Sequence, residues 1–283
     1  MSDVKSVVIT GASSGIGRAS ALRLDRDGFR VFAGVRTRAD AEALNAVASP
    51  RLTAVQLDVT EPESIAGAVQ LIDQNRRGIY GIVSNAGISP GGPLEITSVE
   101  NLRRCLEVNL VGAVAVTQAF LPSLRTGGGR IVLMGSISGR LPSPMLSYYS
   151  ASKSALAAIA DCLRVELRQW SIPVSLVEPG AVKTPIWDKG LREADKWMES
   201  PPWGAELYME AAKSARKLIV RRAGAGVSAE RVAAAVVHAL TSPRPSTRYL
   251  VGSDAYIQAA LRAAPDRVRD MILARVLGIS RTR

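Results

Sequence analysis

Thr10-Gly11-Ala12-Ser13-Ser14-Gly15-Ile16-Gly17 stands between two segments of opposite pattern. Before it, Ser6 to Thr10 is short, continuously apolar and β-branched, as in a strand buried on both faces. After it, Arg18 to Asp27 repeats apolar residues at helical spacing. A strand, a glycine turn and a helix in that order let the backbone come close to a pyrophosphate. Glycine puts no Cβ in the way, and the helix N-terminus offers unpaired amides and the positive end of its dipole. Gly11, Ser13, Ser14, Gly15, Ile16 and Gly17 are the candidate phosphate cradle.

The same alternation continues outward. Strands are expected at Arg30 to Val35, Leu52 to Leu57, Gly81 to Ser84, Arg130 to Met134, Pro173 to Glu178 and Arg248 to Val251, with helices between them. Two helices should start at capping boxes, Thr60 with Glu63 and Thr97 with Glu100. Continuous apolar strands separated by helices predict a doubly wound Rossmann-type α/β fold, a parallel sheet of about seven strands covered on both faces. At 283 residues and 47% apolar composition, the chain is read as one domain over 1–283. The glycines of Thr126 to Gly129 read as a tight turn joining a helix to a strand.

Bulk composition narrows the chemistry. One histidine, His238, lies in an apolar helical run and reads as a satisfied helix residue, which leaves little room for histidine catalysis. Cys105 and Cys162 sit far apart in helical patterns and read as buried packing, with no metal site. The formal charge of +11 admits anionic partners, but aromatics are only 5% and never interleave with a basic run, so nucleic acid is not expected. Met1 leads almost directly into an apolar strand and no run of 18 apolar residues occurs, so a soluble cytoplasmic protein is expected.

In an open parallel sheet, ligands sit at the carboxyl ends of strands. The end of the second strand carries Val35-Arg36, with Arg38 nearby, where an acid would favour a free ribose hydroxyl. An arginine there can pair with a 2′-phosphate, so NADP(H) is predicted, with NAD(H) secondary because Asp40 could reach the ribose. Beyond the fifth strand comes Ser136, and thirteen positions later Tyr149-Ser150-Ala151-Ser152-Lys153. Tyr149 and Lys153, four apart, share a helix face. A tyrosine of pKa ~10 is a reluctant base near neutrality; an ammonium ~4 Å away is worth ~4 kcal/mol at an effective dielectric of 20, so Lys153 is expected to lower that pKa.

The spacing G-x-x-x-G-x-G, the segment Asn85-Ala86-Gly87 and Ser136 with Tyr149 and Lys153 together resemble the short-chain dehydrogenase/reductase family over about residues 5 to 184. The resemblance implies hydride exchange between an alcohol or carbonyl and a nicotinamide, with Asn109, Ser136, Tyr149 and Lys153 as the catalytic set. It implies that Asp58 and Val59 face the adenine, that Asn85, Ala86 and Gly87 border the cofactor, and that Pro179, Gly180, Val182 and Thr184 lie beside the nicotinamide. Tyr149 and Lys153 would also touch the cofactor, and Asn109 would hold a water linking lysine to solvent. Ser84 replaces the family's first asparagine and is left out.

Residues 185–226 concentrate Trp187, Trp197, Met198, Trp203, Tyr208 and Met209, either a helical excursion with its own core or an apolar lid. Asn109 to Gly112, Val177-Glu178-Pro179-Gly180, and His238 to Thr241 followed by Arg248-Tyr249 resemble the retinol and 17β-hydroxysteroid dehydrogenase branch. That branch implies a bulky apolar alcohol or ketone such as a steroid or retinoid. The alternatives are a 3-oxoacyl thioester or small-ketone reductase and, from another class, a non-catalytic NADPH-binding regulator. In the extension 253–283, Arg262 to Arg283 reads as an amphipathic basic helix that docks on its own domain, on a second copy or peripherally on a membrane. The family also implies a homodimer or homotetramer through Leu102 to Leu121 and Ser152 to Gln169.

Overall fold

The computed structural model describes residues 4–74, 78–199 and 203–279, leaving Trp197 and Met198 without described side chains. Ser280 to Arg283, the end of the basic segment, lie outside the described residues. Seven strands form one parallel sheet: β1 Ser6–Ile9, β2 Arg30–Val35, β3 Leu52–Gln56, β4 Gly81–Ser84, β5 Arg130–Met134, β6 Val174–Pro179 and β7 Arg248–Val251. Their order is β3-β2-β1-β4-β5-β6-β7. The direction of winding reverses between β1 and β4, which opens a crevice at their carboxyl ends. This is the doubly wound Rossmann-type sheet that continuous apolar strands require.

One face of the sheet is covered by α3 Pro62–Ile72, α5 Gly112–Thr126 and α6 Ser147–Glu166, the other by α1 Gly15–Arg26, α2 Arg38–Asn45 and α9 Ala229–Thr241. Phe120 and Leu124 are fully buried on the first face, Leu24 and Leu240 on the second. α4 Val99–Leu106 runs into α5 through a wide π turn, Glu107–Val111. By length and composition the whole stretch Val99–Thr126 could cross a membrane, but here it is a core helix against the sheet.

Both capping boxes fall one residue early. The Thr60 hydroxyl is committed to Asp58 Oδ1 at 2.8 Å, so α3 starts from Glu61 with Pro62 in its first turn. Thr97 donates to the Pro93 carbonyl, and Ser98 caps α4 by accepting from the Asn101 amide. Cys105 is buried as expected, whereas Cys162 is exposed, because its face of α6 looks outward beside α5. His238 Nδ1 meets the Tyr249 hydroxyl at 2.9 Å. At the glycine turn, Gly128 has φ +60° and the Gly129 amide donates to Leu124, closing the end of α5.

Past β6, α7 Ile186–Glu199 and α8 Met209–Ala225 form the excursion. The extension is two helices, α10 Ser253–Arg262 and α11 Asp266–Val276, broken at Pro265 where a proline suits a helix start.

Candidate active site

The glycine turn is shaped by contacts that exclude side chains. Gly11 (φ +64°) and Gly15 (φ +55°) adopt the left-handed region, and a Cβ on Gly11 would lie 2.8 Å from the Ala86 Cα. A Cβ on Gly17 would overlap the Gly11 carbonyl and stand 2.5 Å from Asn85 Nδ2. Asn85 Nδ2 donates to the Thr10 and Gly11 carbonyls, 2.9 and 3.1 Å, tying the end of β4 to the turn after β1. Thr10, unnoticed in the sequence as more than a strand end, accepts from the Asn85 and Ala86 amides at 2.9 and 3.0 Å. Its signal was a hydroxyl placed directly before the first glycine.

Ser14 occupies the N-cap of α1 without a side-chain bond to the first-turn amides, and that turn carries no acid. An uncapped helix start facing a left-handed glycine turn has the donor set of an anion cradle, so these residues fit a pyrophosphate. Ser13 is exposed at the lip. At the end of β2, Arg36 is exposed; Arg38 pairs with Glu42 at 2.8 Å, and Asp40 is held by the Thr37 hydroxyl and amide cap. Of the three, Arg36 is the one presented beyond the strand end.

Asp58 gives one carboxylate oxygen to the Thr60 amide and hydroxyl, a local turn of the kind that could cap a helix start. Val59 is buried against Gly112, whose Cβ would fall 2.7 Å from the Val59 Cγ2. Asp58 is partly exposed at the end of the segment after β3. Ser84 contacts Thr117 Oγ1 in the core at 3.4 Å, which is what its place inside β4 calls for.

Asn109 lies in the π turn, 1% exposed. Its Oδ1 accepts from the Ile88 amide at 2.8 Å, and its Nδ2 donates to the Ile88 carbonyl at 2.8 Å and to Ser152 Oγ at 3.0 Å. The side chain thus clamps the segment after Gly87 onto α6. A Cβ on Gly87 would lie 3.3 Å from Asn109 Oδ1 and 3.6 Å from Lys153 Nζ, so Asn109, Gly87 and Lys153 meet.

Lys153, 4% exposed, points its ammonium at the Met134 carbonyl, 2.7 Å away, and stands 5.8 Å from the centre of the Tyr149 ring. Burial lowers its pKa to about 8. The expectation that Lys153 depresses the Tyr149 pKa is overturned here. Burial of the phenol raises that pKa, the neighbouring Ser136 hydroxyl works against the rise, and the ammonium is directed at a backbone carbonyl instead. Ser136 Oγ in turn accepts from the Ser138 amide at 3.2 Å, which leaves its proton free to donate outward.

Beyond β6, Ala181 N donates to Asp254 Oδ2 at 2.8 Å, and Gly180 leaves space that this carboxylate fills. Thr184 packs against Gly15, joining this loop to the glycine turn, and Val182 pairs with Val227. Trp187 of α7 donates its indole N–H to the Val182 carbonyl at 2.7 Å, anchoring the excursion. Thr184 thus brings this loop to the glycine turn, while Gly180 faces Asp254, Val182 pairs with Val227 and Pro179 is buried at the end of β6.

A small apolar cleft, with about 70 Å³ of space inside an open mouth, lies between Ser89–Pro93, Met145–Leu146, α7 and α8, and includes Trp187, Leu191 and Ile219. Met145 sits in the left-handed region at φ 67° and accepts from the Gly92 amide at 2.8 Å. Sequence gave no hint of it, since methionine seldom takes that conformation. Its neighbour Leu146 stands at the N-cap of α6, three residues before Tyr149, so the cleft reaches the start of the helix that carries Tyr149. Trp203, by contrast, is 92% exposed and packs into no lid core.

Comparison with known proteins agrees with this geometry. The model for "short chain dehydrogenase" matches residues 5–195. The chain is 39% identical over 281 residues to bovine 17-beta-hydroxysteroid dehydrogenase type 6, covering 96% of this chain and 88% of that one. It is 36% identical over 262 residues to human retinol dehydrogenase 5, covering 88% and 81%. A solved short chain dehydrogenase from Burkholderia cenocepacia in complex with NADP superposes with TM-score 0.72 at 28% identity, covering 97% and 98%. A match that spans most of the sheet, with relatives this similar over nearly the full chain, means that the protein belongs to the short-chain dehydrogenase family, in the branch like the 17β-hydroxysteroid and retinol dehydrogenases.

Proposed function

We propose that the protein interconverts a bulky apolar alcohol, steroid-like or retinoid-like, and its carbonyl, using NADP(H). The observation that carries this reading is the convergence of Ser136, Tyr149 and Lys153, on a sheet with an uncapped glycine turn and with an apolar cleft that reaches the start of the helix bearing Tyr149. A bound nicotinamide would supply or take the hydride. Gly11 to Gly17 would receive its pyrophosphate, Arg36 its 2′-phosphate, and Asn85, Ala86, Gly87 and the 179–184 loop its nicotinamide half. Asp58 and Val59 would border the adenine. Solved relatives include complexes with NADP and with NAD, which supports a nicotinamide dinucleotide, and Arg36 at the end of β2 is what favours NADP.

Tyr149 would give its phenolic proton to the carbonyl oxygen during reduction and take it back during oxidation. Ser136, its oxygen already held by the Ser138 amide, would donate to the same substrate oxygen as charge develops. Lys153 would hold a ribose hydroxyl and resupply the proton. Asn109 would keep the Ile88 segment and α6 in register around it. A reduced pKa near 8 suits a proton carrier at neutral pH.

The whole chain would act as one unit, with 185–226 as the lid. Pairing into a homo-oligomer would use the groove between α5 and α6, where Val114, Leu121 and Leu163 are accessible. The protein would be cytoplasmic with peripheral contact to anionic membrane. Val268, Met271, Ile272 and Val276 of α11 face solvent at helical spacing while Leu277 is buried behind them. Nicotinamide absorbance followed with a panel of steroids, retinoids, aliphatic ketones and 3-oxoacyl thioesters tests the reading. Turnover of the apolar ketones with preference for NADPH is expected; tight NADPH binding with no turnover across the panel would overturn it in favour of a regulator.

A further inference from the structure

A chain of charges runs beneath the serine turn. Glu178, at the end of β6, is 1% exposed and holds Arg140 by two parallel bonds: Arg140 Nε donates to Oε1 at 2.8 Å and Nη2 to Oε2 at 2.7 Å. Arg248 Nη1 reaches the same carboxylate at 3.2 Å, and its Nη2 reaches Asp161 on α6 at 2.6 Å. Asp161 also accepts from Arg164 at 2.5 Å. Four elements are joined by one line of alternating charge. A buried carboxylate in this setting needs both guanidiniums, and either guanidinium left without it would face the other.

The line ends on the segment that carries Ser136. Arg140 follows the single 3₁₀ turn Ile137–Gly139, which Ser136 caps. The stem of Glu178 lies across Gly135, where a Cβ would come 3.2 Å from Glu178 Cγ. From the other side, Ser154 Oγ donates to the Gly139 carbonyl at 2.8 Å. A turn of this length has few bonds of its own: the Gly139 amide to Ser136, and the Arg140 and Leu141 amides to Ile137. Its end is fixed chiefly by the bidentate fork, and a fork fixes direction as well as distance. Glu178 also leads directly into Pro179-Gly180, so one carboxylate ties the serine turn after β5 to the loop after its neighbour β6.

We propose that Glu178 and Arg140 are positioning residues that set the direction of the Ser136 hydroxyl. This rests on the proposed reaction only for its kinetic readout. The principal variant is Arg140→Met at the partly exposed end of the pair, with Glu178→Gln beside it. Arg140→Lys, which keeps the charge and one bond, is the conservative control.

Two measurements decide it. Hydrogen exchange over residues 136–141 should speed up at least about tenfold in Arg140→Met and less in Arg140→Lys, with exchange in β1 and α1 unchanged. In turnover, Arg140→Met should lower kcat about tenfold, with KM and NADPH affinity within about twofold, and should have no further effect in a Ser136→Ala background. Unchanged exchange at 136–141 overturns the proposal, and so does an equal kcat loss with or without Ser136. If the wild-type protein turns over no ketone in the panel, the proposed reaction fails while the exchange measurement still decides this inference.

Discussion

Lys153 carries its charge in a site that opposes it, and the sign of the effect on stability follows. Its pKa falls from the ordinary lysine value to about 8, so the folded chain releases this proton more readily than the unfolded one. Stability therefore rises with pH between about 8 and 10.5, and below 8 the whole penalty, on the order of 1–3 kcal/mol, is present. Lys153→Met should raise the melting temperature at pH 7 by about two to five degrees while abolishing turnover, and the gain should shrink towards pH 10. Thermal scans at the two pH values check this. Tyr149 behaves in the opposite sense: burial raises its pKa and Ser136 counters part of the rise. Ser136→Ala should shift the rising limb of the alcohol-oxidation pH profile to higher pH, read from kcat/KM against pH. Tyr149 and Lys153 were legible in the sequence because i, i+4 spacing fixes a face. The aim of the ammonium was not, because a backbone carbonyl, Met134, competes for it and carbonyls have no sequence signature.

At the scale of elements, the glycine turn shows what close approach demands. Gly17→Ala would drive a methyl into the Gly11 carbonyl and the Asn85 amide, so α1 must move away from β1. NADPH affinity should fall at least tenfold, by about 1.4 kcal/mol or more, with a stability loss of roughly 1–3 kcal/mol; titration calorimetry and chemical denaturation measure the two. Arg36→Ala should cost a comparable factor for NADPH and little for NADH, and equal affinities for both would remove Arg36 from the site. All seven strands stand within one residue of where the apolar runs place them, since a strand covered on both faces can hardly hide its pattern. Helix starts were less readable. Thr60 and Thr97 had the right residue type at the right spacing, but each hydroxyl found a nearer oxygen, in Asp58 and Pro93. The π turn at Asn109 was invisible for a different reason: one extra residue disturbs an apolar period less than ordinary sequence variation does.

For the molecule as a whole, the basic excess and the outward apolar stripe of α11 combine. Met271 is 60% exposed with Arg267 and Arg275 beside the stripe, and just past the helix Leu277 is buried and Gly278 sits against Ser214 of α8. Changing Val268, Met271, Ile272 and Val276 together to serine should abolish cosedimentation with phosphatidylcholine–phosphatidylglycerol vesicles, and added salt should weaken it in the unaltered protein. Equal partitioning of both forms would remove membrane contact, and a smaller mass in solution for the variant would make the stripe a dimer face. The wide turn at Glu107–Val111 has a consequence of another kind, concerning which changes in length the chain can survive. An α-helix advances about 100° per residue, but the wide turn already absorbs one extra residue, so removing one residue there would close it into ordinary helix and leave everything downstream facing nearly as before. Val116, Phe120 and Leu124 would keep their places on the sheet and Cys105 its place against α6, and the change would fall on Asn109, which the wide turn carries. Within this helix, then, a change of length can be taken up at the wide turn without disturbing the core, and what it would cost is the placement of Asn109.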